Sequence, residues 1–156
     1  MLVMLLSLPM WSAASVPLEA TLEELATGAD HILTGRVIGV DMVDKDGKIV
    51  KDPDAMTGPG LKNVIRLHVR VGKVLVTNAA RFPSLLKVPL DSHMHYRLGQ
   101  VKSEEDTQQK PMLPLLKGPA FEPIVAGVFA RPLSDQAKAL RLHAATRRGA
   151  EAKGRR

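Results

Sequence analysis

In Val64-Ile65-Arg66-Leu67-His68-Val69-Arg70-Val71, the apolar residues Ile65, Leu67, Val69 and Val71 alternate with Arg66, His68 and Arg70. A period of two is the mark of a strand with one face on a core and the other in water. Gly72-Lys73-Val74-Leu75-Val76 extends or bends that strand. Upstream, His31-Ile32-Leu33-Thr34-Gly35-Arg36-Val37-Ile38-Gly39-Val40 is β-branched and interrupted by two glycines, a pattern that predicts an extended segment with a bulge or coil. Between the two strands, Asp44-Lys45-Asp46-Gly47-Lys48 forms a hairpin turn with Asp46-Gly47 at its tip. It is no calcium loop: aligning Gly47 with the invariant glycine places Met42 and Pro53 at the end ligand positions.

Further strands are predicted at Leu85–Leu90, Asp91–Leu98, Met112–Leu116 and Ile124–Phe129, fenced by prolines and glycines. Asp52–Gly60, with Pro53, Gly58 and Pro59, reads as an exposed and mobile loop. Lys102–Lys110 reads as a polar loop. Helices are predicted only at the ends. Ala20–Gly28 carries a capping box, Thr21 with Glu24, and Gly28 suits a left-handed stop. Ser134 is placed to cap a final helix over Asp135–Thr146, with Ala137, Leu140 and Ala144 as its apolar stripe. The expected fold is therefore mainly β: a small closed or partly open OB-like barrel, or else a β-sandwich, with a short N-terminal and a C-terminal helix.

The first residues, Met1-Leu2-Val3-Met4-Leu5-Leu6-Ser7-Leu8-Pro9-Met10-Trp11-Ser12-Ala13-Ala14, form an apolar run with a small-residue exit, the layout of a secretory signal peptide. Ser12 and Ala14 suit a cut before Ser15, and Ala13 and Ser15 a cut one residue later. No basic residue precedes the run, and a buried N-terminal strand or helix is the competing reading. The run is short of the ~20 residues that span a bilayer, and no transmembrane helix is predicted. The domain organisation read from the sequence is a leader at 1–14, one barrel domain at 15–146 and a disordered basic tail at 147–156.

Composition narrows the function classes. The chain has 156 residues, 45% hydrophobic, and no cysteine, which excludes a disulfide framework and thiolate chemistry. Its net charge of +6 is concentrated at the end, where Arg147, Arg148, Lys153, Arg155 and Arg156 face only Glu151. The rest holds 17 basic and 15 acidic residues, and aromatics are 3%, so nucleic-acid binding is not expected. No nucleophile elbow, phosphate loop or cofactor motif is present, so no cofactor is predicted.

The segments Leu22-Glu23-Glu24-Leu25, Ala29-Asp30-His31-Ile32-Leu33-Thr34-Gly35-Arg36-Val37 and Val71-Gly72-Lys73-Val74-Leu75 resemble the opening of small exported bacterial proteins with OB-like, netrin-like barrels. The resemblance covers residues 20 to 76. It implies a barrel fold more than an activity. The cysteines of the netrin-like inhibitors are missing, so their inhibitory contacts do not carry over.

Two side-chain groups stand out. Arg66, His68 and Arg70 make a basic stripe able to meet an anionic ligand or acidic partner, against the plainer reading of a solvated strand face. His93 and His95, two apart on an expected strand, would share one face and so suit a metal if His31, His68, Asp91 or Glu122 joined them, against the plainer reading of two exposed rim histidines. The expected function is an exported, periplasmic or secreted, non-enzymatic binding module. Its partner would be another envelope or secreted protein, met by the stripe and the Asp52–Gly60 loop. The alternative is a metal-binding protein or metal-dependent enzyme centred on His93 and His95.

Overall fold

A computed structural model describes residues 19–107 and 110–153, so the leader read at 1–14 lies outside the described residues. Helix α1 (Leu22–Gly28) starts where the capping box was expected. Thr21 Oγ1 accepts the Glu24 N–H at 3.1 Å, and the Glu24 carboxylate accepts the Thr21 N–H at 2.8 Å. Gly28 is not a left-handed stop. It is the last helical residue, and Ile124 packs closely against it: a Cβ there would lie 3.0 Å from the Ile124 side chain.

Strands β1 (His31–Val43), β2 (Val64–Val76) and β3 (Leu85–Pro89) form an antiparallel meander. Helix α2 (Leu98–Thr107) follows, then β4 (Met112–Lys117), β5 (Glu122–Pro123) and β6 (Ala130–Pro132). A 3₁₀ turn at Leu133–Asp135 leads into α3 (Gln136–Lys153). The sheet order is β3-β2-β1-β4-β5, with β6 paired to β4. The sheet is open: β3 and β5 approach each other without pairing. Pro114 sits inside β4 where the ladder to β1 is interrupted, between the Met112 and Leu115 pairs, so its missing N–H breaks no bond there.

The glycine-interrupted strand behaves as its sequence suggests. The β1–β2 register shifts between Ile32 and Leu33, Thr34 and Gly35, and Val37 and Gly39. At Gly35 a Cβ would meet the Arg70 carbonyl and Val69 Cγ1, both at 2.9 Å, so the two strands cross in close contact there.

Both sides of the sheet carry core. On one side, Leu33, Val37, Met42, Ile65, Leu67, Val69, Leu86 and Val88 pack with Leu98 and Val101 of α2, Leu116 and Phe129. On the other, Ile32, Leu113 and Leu115 pack under Leu22, Leu25 and Ala26 of α1 and Ala139 of α3. His31 is fully buried in the first layer. Its Nε2 donates to the Gly118 carbonyl at 3.0 Å, Nδ1 lies 2.9 Å from Thr77 Oγ1, and its ring packs between Phe82 and Phe121. It is a satisfied core histidine.

Six expectations are corrected. Asp91–Leu98 is not a strand but a turn, held by Met94 N–H to the Asp91 carbonyl. Lys102–Lys110 is not a loop through most of its length: α2 reaches Thr107, with Leu98 and Val101 spaced to bury one side of an otherwise polar helix. Ile124–Phe129 is a tight turn closed by Val128 N–H to the Val125 carbonyl at 2.8 Å. Ser134 caps nothing, since it lies inside the 3₁₀ turn. The buried stripe of α3 is Ala139 and His143, not Ala137 and Ala144, and His143 Nδ1 donates to the Ala26 carbonyl at 3.1 Å, tying α3 to α1. The helix continues through residues 147–153, where the sequence predicts a disordered tail, and residues 154–156 of that tail lie outside the described residues.

Candidate functional site

The outer side of β1, β2 and β3 beyond the α1–α3 cover is where charge collects. The bulge between Val37 and Gly39 decides this. It leaves Ile38 without a β2 partner and advances the register, so that Gly39 faces His68 and Asp41 faces Arg66. Without it, Asp41 would oppose Ile65 and point to the buried side, because one residue of slip inverts every side chain.

Arg66 grips Asp41 with both ends of its fork, Nε to Oδ1 at 2.7 Å and Nη2 to Oδ2 at 2.6 Å. His68 Nε2 lies 2.9 Å from Asp41 Oδ2, close but not aligned as a hydrogen bond. Lys87 Nζ, brought alongside by the His68–Lys87 pairing of β2 and β3, is 3.8 Å from the same oxygen. Burial works to raise the Asp41 pKa, but the Arg66 hydrogen bonds and the close approach of Arg66 and His68 outweigh it and hold the carboxyl below its ordinary range.

Arg70 takes no part in this cluster. It stands directly opposite Arg36, and both are exposed. Together β1, β2 and β3 contain five Lys and Arg residues (Arg36, Arg66, Arg70, Lys73, Lys87) and one acid, Asp41. The basic stripe is thus wider than Arg66, His68 and Arg70, and its first member is already neutralised. Sequence reasoning missed Asp41, Arg36 and Lys87. The one available signal was Gly39, a bulge residue two positions before Asp41.

No family model, curated protein or solved structure matches this chain.

The loop at 52–60 is not a free arm of this site. Thr57 is fully buried, with its hydroxyl donating to the Met94 carbonyl at 2.6 Å and accepting the Tyr96 N–H at 3.1 Å. Thr57 N–H, Leu98 N–H and Gly99 N–H bind the Tyr96, Ala55 and Pro53 carbonyls. Gly58, at φ 151°, gives way to the His95 ring, which a Cβ would meet at 2.6 Å. The loop is stitched to 94–99, so its ordering does not wait for a ligand. Replacing Thr57 by valine should cost about 1–2 kcal/mol of stability, because two buried hydrogen bonds are lost and the Met94 carbonyl and Tyr96 N–H are left with only their 3.1 Å bond to each other; urea unfolding of the variant measures this.

The same stitching separates the histidines. His93 sits in the turn after β3, largely exposed, with Asp91 Oδ1 accepting its N–H at 2.9 Å and lying 3.3 Å from its Nδ1. His95 packs on Gly58. The strand that would have aligned the two rings is absent, and no group of three or more His, Cys, Asp or Glu able to hold a metal occurs among the described residues. Two cavities lie elsewhere. One, of about 430 Å³, fills the gap between the approaching β3 and β5 ends, with Asp91, His93, Lys117 and Glu122 in its wall. The other, of about 500 Å³, lies between Val37, Leu67, Met112 and Phe129, with Glu105 at its edge. Burial, aided by the Glu104 charge, pushes the Glu105 carboxyl up.

Proposed function

We propose that this chain is an exported, non-enzymatic binding module that presents the outer face of β1–β3 to an acidic protein partner. The observation that carries the reading is the charge balance of that face: five Lys and Arg against one carboxylate that Arg66, His68 and Lys87 already surround. A face of one sign steers an oppositely charged partner and selects against a basic one. Leu85 and Ile38, both partly exposed, supply apolar contact within the charged field. The leader at 1–14 and the absence of cysteine support delivery to a periplasm or the medium. The near meeting of β3 and β5 supports a partly open OB-like barrel as the scaffold.

The test is titration of the chain from Ser15 onward with a fluorescent deca-glutamate peptide at low and physiological salt. Saturable binding that weakens with salt is expected. The Lys73→Glu, Lys87→Glu double variant, which leaves Arg36 and Arg70 in place, should bind about tenfold or more weakly. Binding that does not saturate, or is unchanged in the double variant, would overturn the reading.

A further inference from the structure

We infer that Arg36 and Arg70 form a subsite for one doubly charged oxyanion, of the phosphoryl class. The inference rests on the reading of this face as a surface for an acidic partner and names the group that anchors it.

The two arginines are cross-strand partners in direct register. Directly opposed side chains on antiparallel strands are near neighbours, and like charges in that position destabilise the sheet. Arg66 on the same strand shows how this chain handles such a charge, through a bulge that delivers Asp41. Nothing equivalent serves Arg36 or Arg70, and neither has an ion pair among the described residues. Crowding at Gly35 presses β1 against the Arg70 backbone, so the strands do not splay apart to relieve the repulsion.

The pair also borders a groove of about 380 Å³. Its other walls are Thr34, Gly35, Val71, Gly72, Pro111 and Leu133, and no acidic residue is among them. Pro111 and Leu133 close one side with apolar surface, which strengthens the field of the two guanidiniums over that of the same charges on an open sheet. Two planar forks around one concavity match the oxygens of a tetrahedral dianion, and its charge cancels theirs.

The experiment titrates inorganic phosphate into the chain from Ser15 onward at constant ionic strength, with chloride as the matched control, reading heat and thermal unfolding. Saturable one-to-one binding is expected, with a rise in Tm that chloride does not reproduce. The Arg36→Gln, Arg70→Gln double variant should lose at least tenfold in affinity. Arg36→Glu should abolish the phosphate response and, by pairing with Arg70, raise the Tm of the free protein by roughly 2 °C. That second readout keeps a folding defect from passing as lost binding. A phosphoserine peptide tighter than free phosphate places the group on a protein partner, and equal affinity identifies the free ion as the ligand. A non-saturable response, or one retained in the double variant, would overturn the subsite. An unsubstituted chain that binds deca-glutamate but not phosphate would remove this inference alone, and one that binds phosphate but not deca-glutamate would remove only the docking surface.

Discussion

Replacing Leu33 by alanine should lower the free energy of unfolding by about 3 kcal/mol, while the same truncation of Ile38, five residues along β1, should lower it by about 1 kcal/mol or less. Leu33 is fully buried and packs in the layer under α2. Truncation removes three carbon atoms from that layer and leaves a cavity that the bulged, closely crossed β1–β2 pair cannot readily collapse to fill. Ile38 is the unpaired residue of the third register shift and keeps 39% of its surface exposed, where Leu33 keeps none, so its side chain gains much less from folding. Urea denaturation of both variants, with the m-value held as a check on two-state behaviour, separates them. Equal losses would mean that the two side chains are buried alike in solution, contrary to the packing described here.

That contrast shows what the sequence made legible. The alternation in Val64–Val71 placed Ile65, Leu67 and Val69 inside and Arg66, His68 and Arg70 outside, as the structure has them. The capping box and the Asp44–Lys48 turn were equally plain, because each is a local hydrogen-bonding pattern with its own residue types. The glycines at 35 and 39 announced irregularity without saying which way the register moved. Only the pairing with β2 shows that Asp41 turns outward to Arg66. Helix α2 was hidden because two apolar residues, Leu98 and Val101, bury a segment whose composition is that of a loop. Ile124–Phe129 misled in the opposite direction: its apolar residues fill space against α1 and the two core layers from a turn. The number of strands came out as expected while two of the expected ones were elsewhere. The candidate site was legible as a stripe, and its width came from tertiary neighbours that no spacing predicts.

Replacing Asp41 by asparagine should have the second large effect, a loss of about 2 kcal/mol near neutral pH, and should separate stability from binding. The Asp41 and Arg66 side chains are only 13% and 25% exposed, so the pair has given up much of its water. Asparagine keeps the shape and one acceptor oxygen but leaves Arg66 and Lys87 facing each other without a counter-charge. Residual contact with water screens that repulsion and keeps the cost below that of a fully buried pair. The folded-state pKa of Asp41 is depressed, so its contribution is complete above the ordinary 3.8 of an unfolded aspartate and drains away as pH falls toward the lower folded value. The stability gap between wild type and Asp41→Asn should therefore be widest above pH 4 and close at the acid end. A gap that stayed constant with pH would show that lost packing, not charge, is responsible. On the docking reading, the same substitution releases Arg66 and adds one positive charge to the face, so Asp41→Asn should bind deca-glutamate more tightly while folding less stably. Asp41 would then be a carboxylate that holds the cationic face together at the expense of its affinity, which is the trade expected where a surface of one sign must persist without its partner.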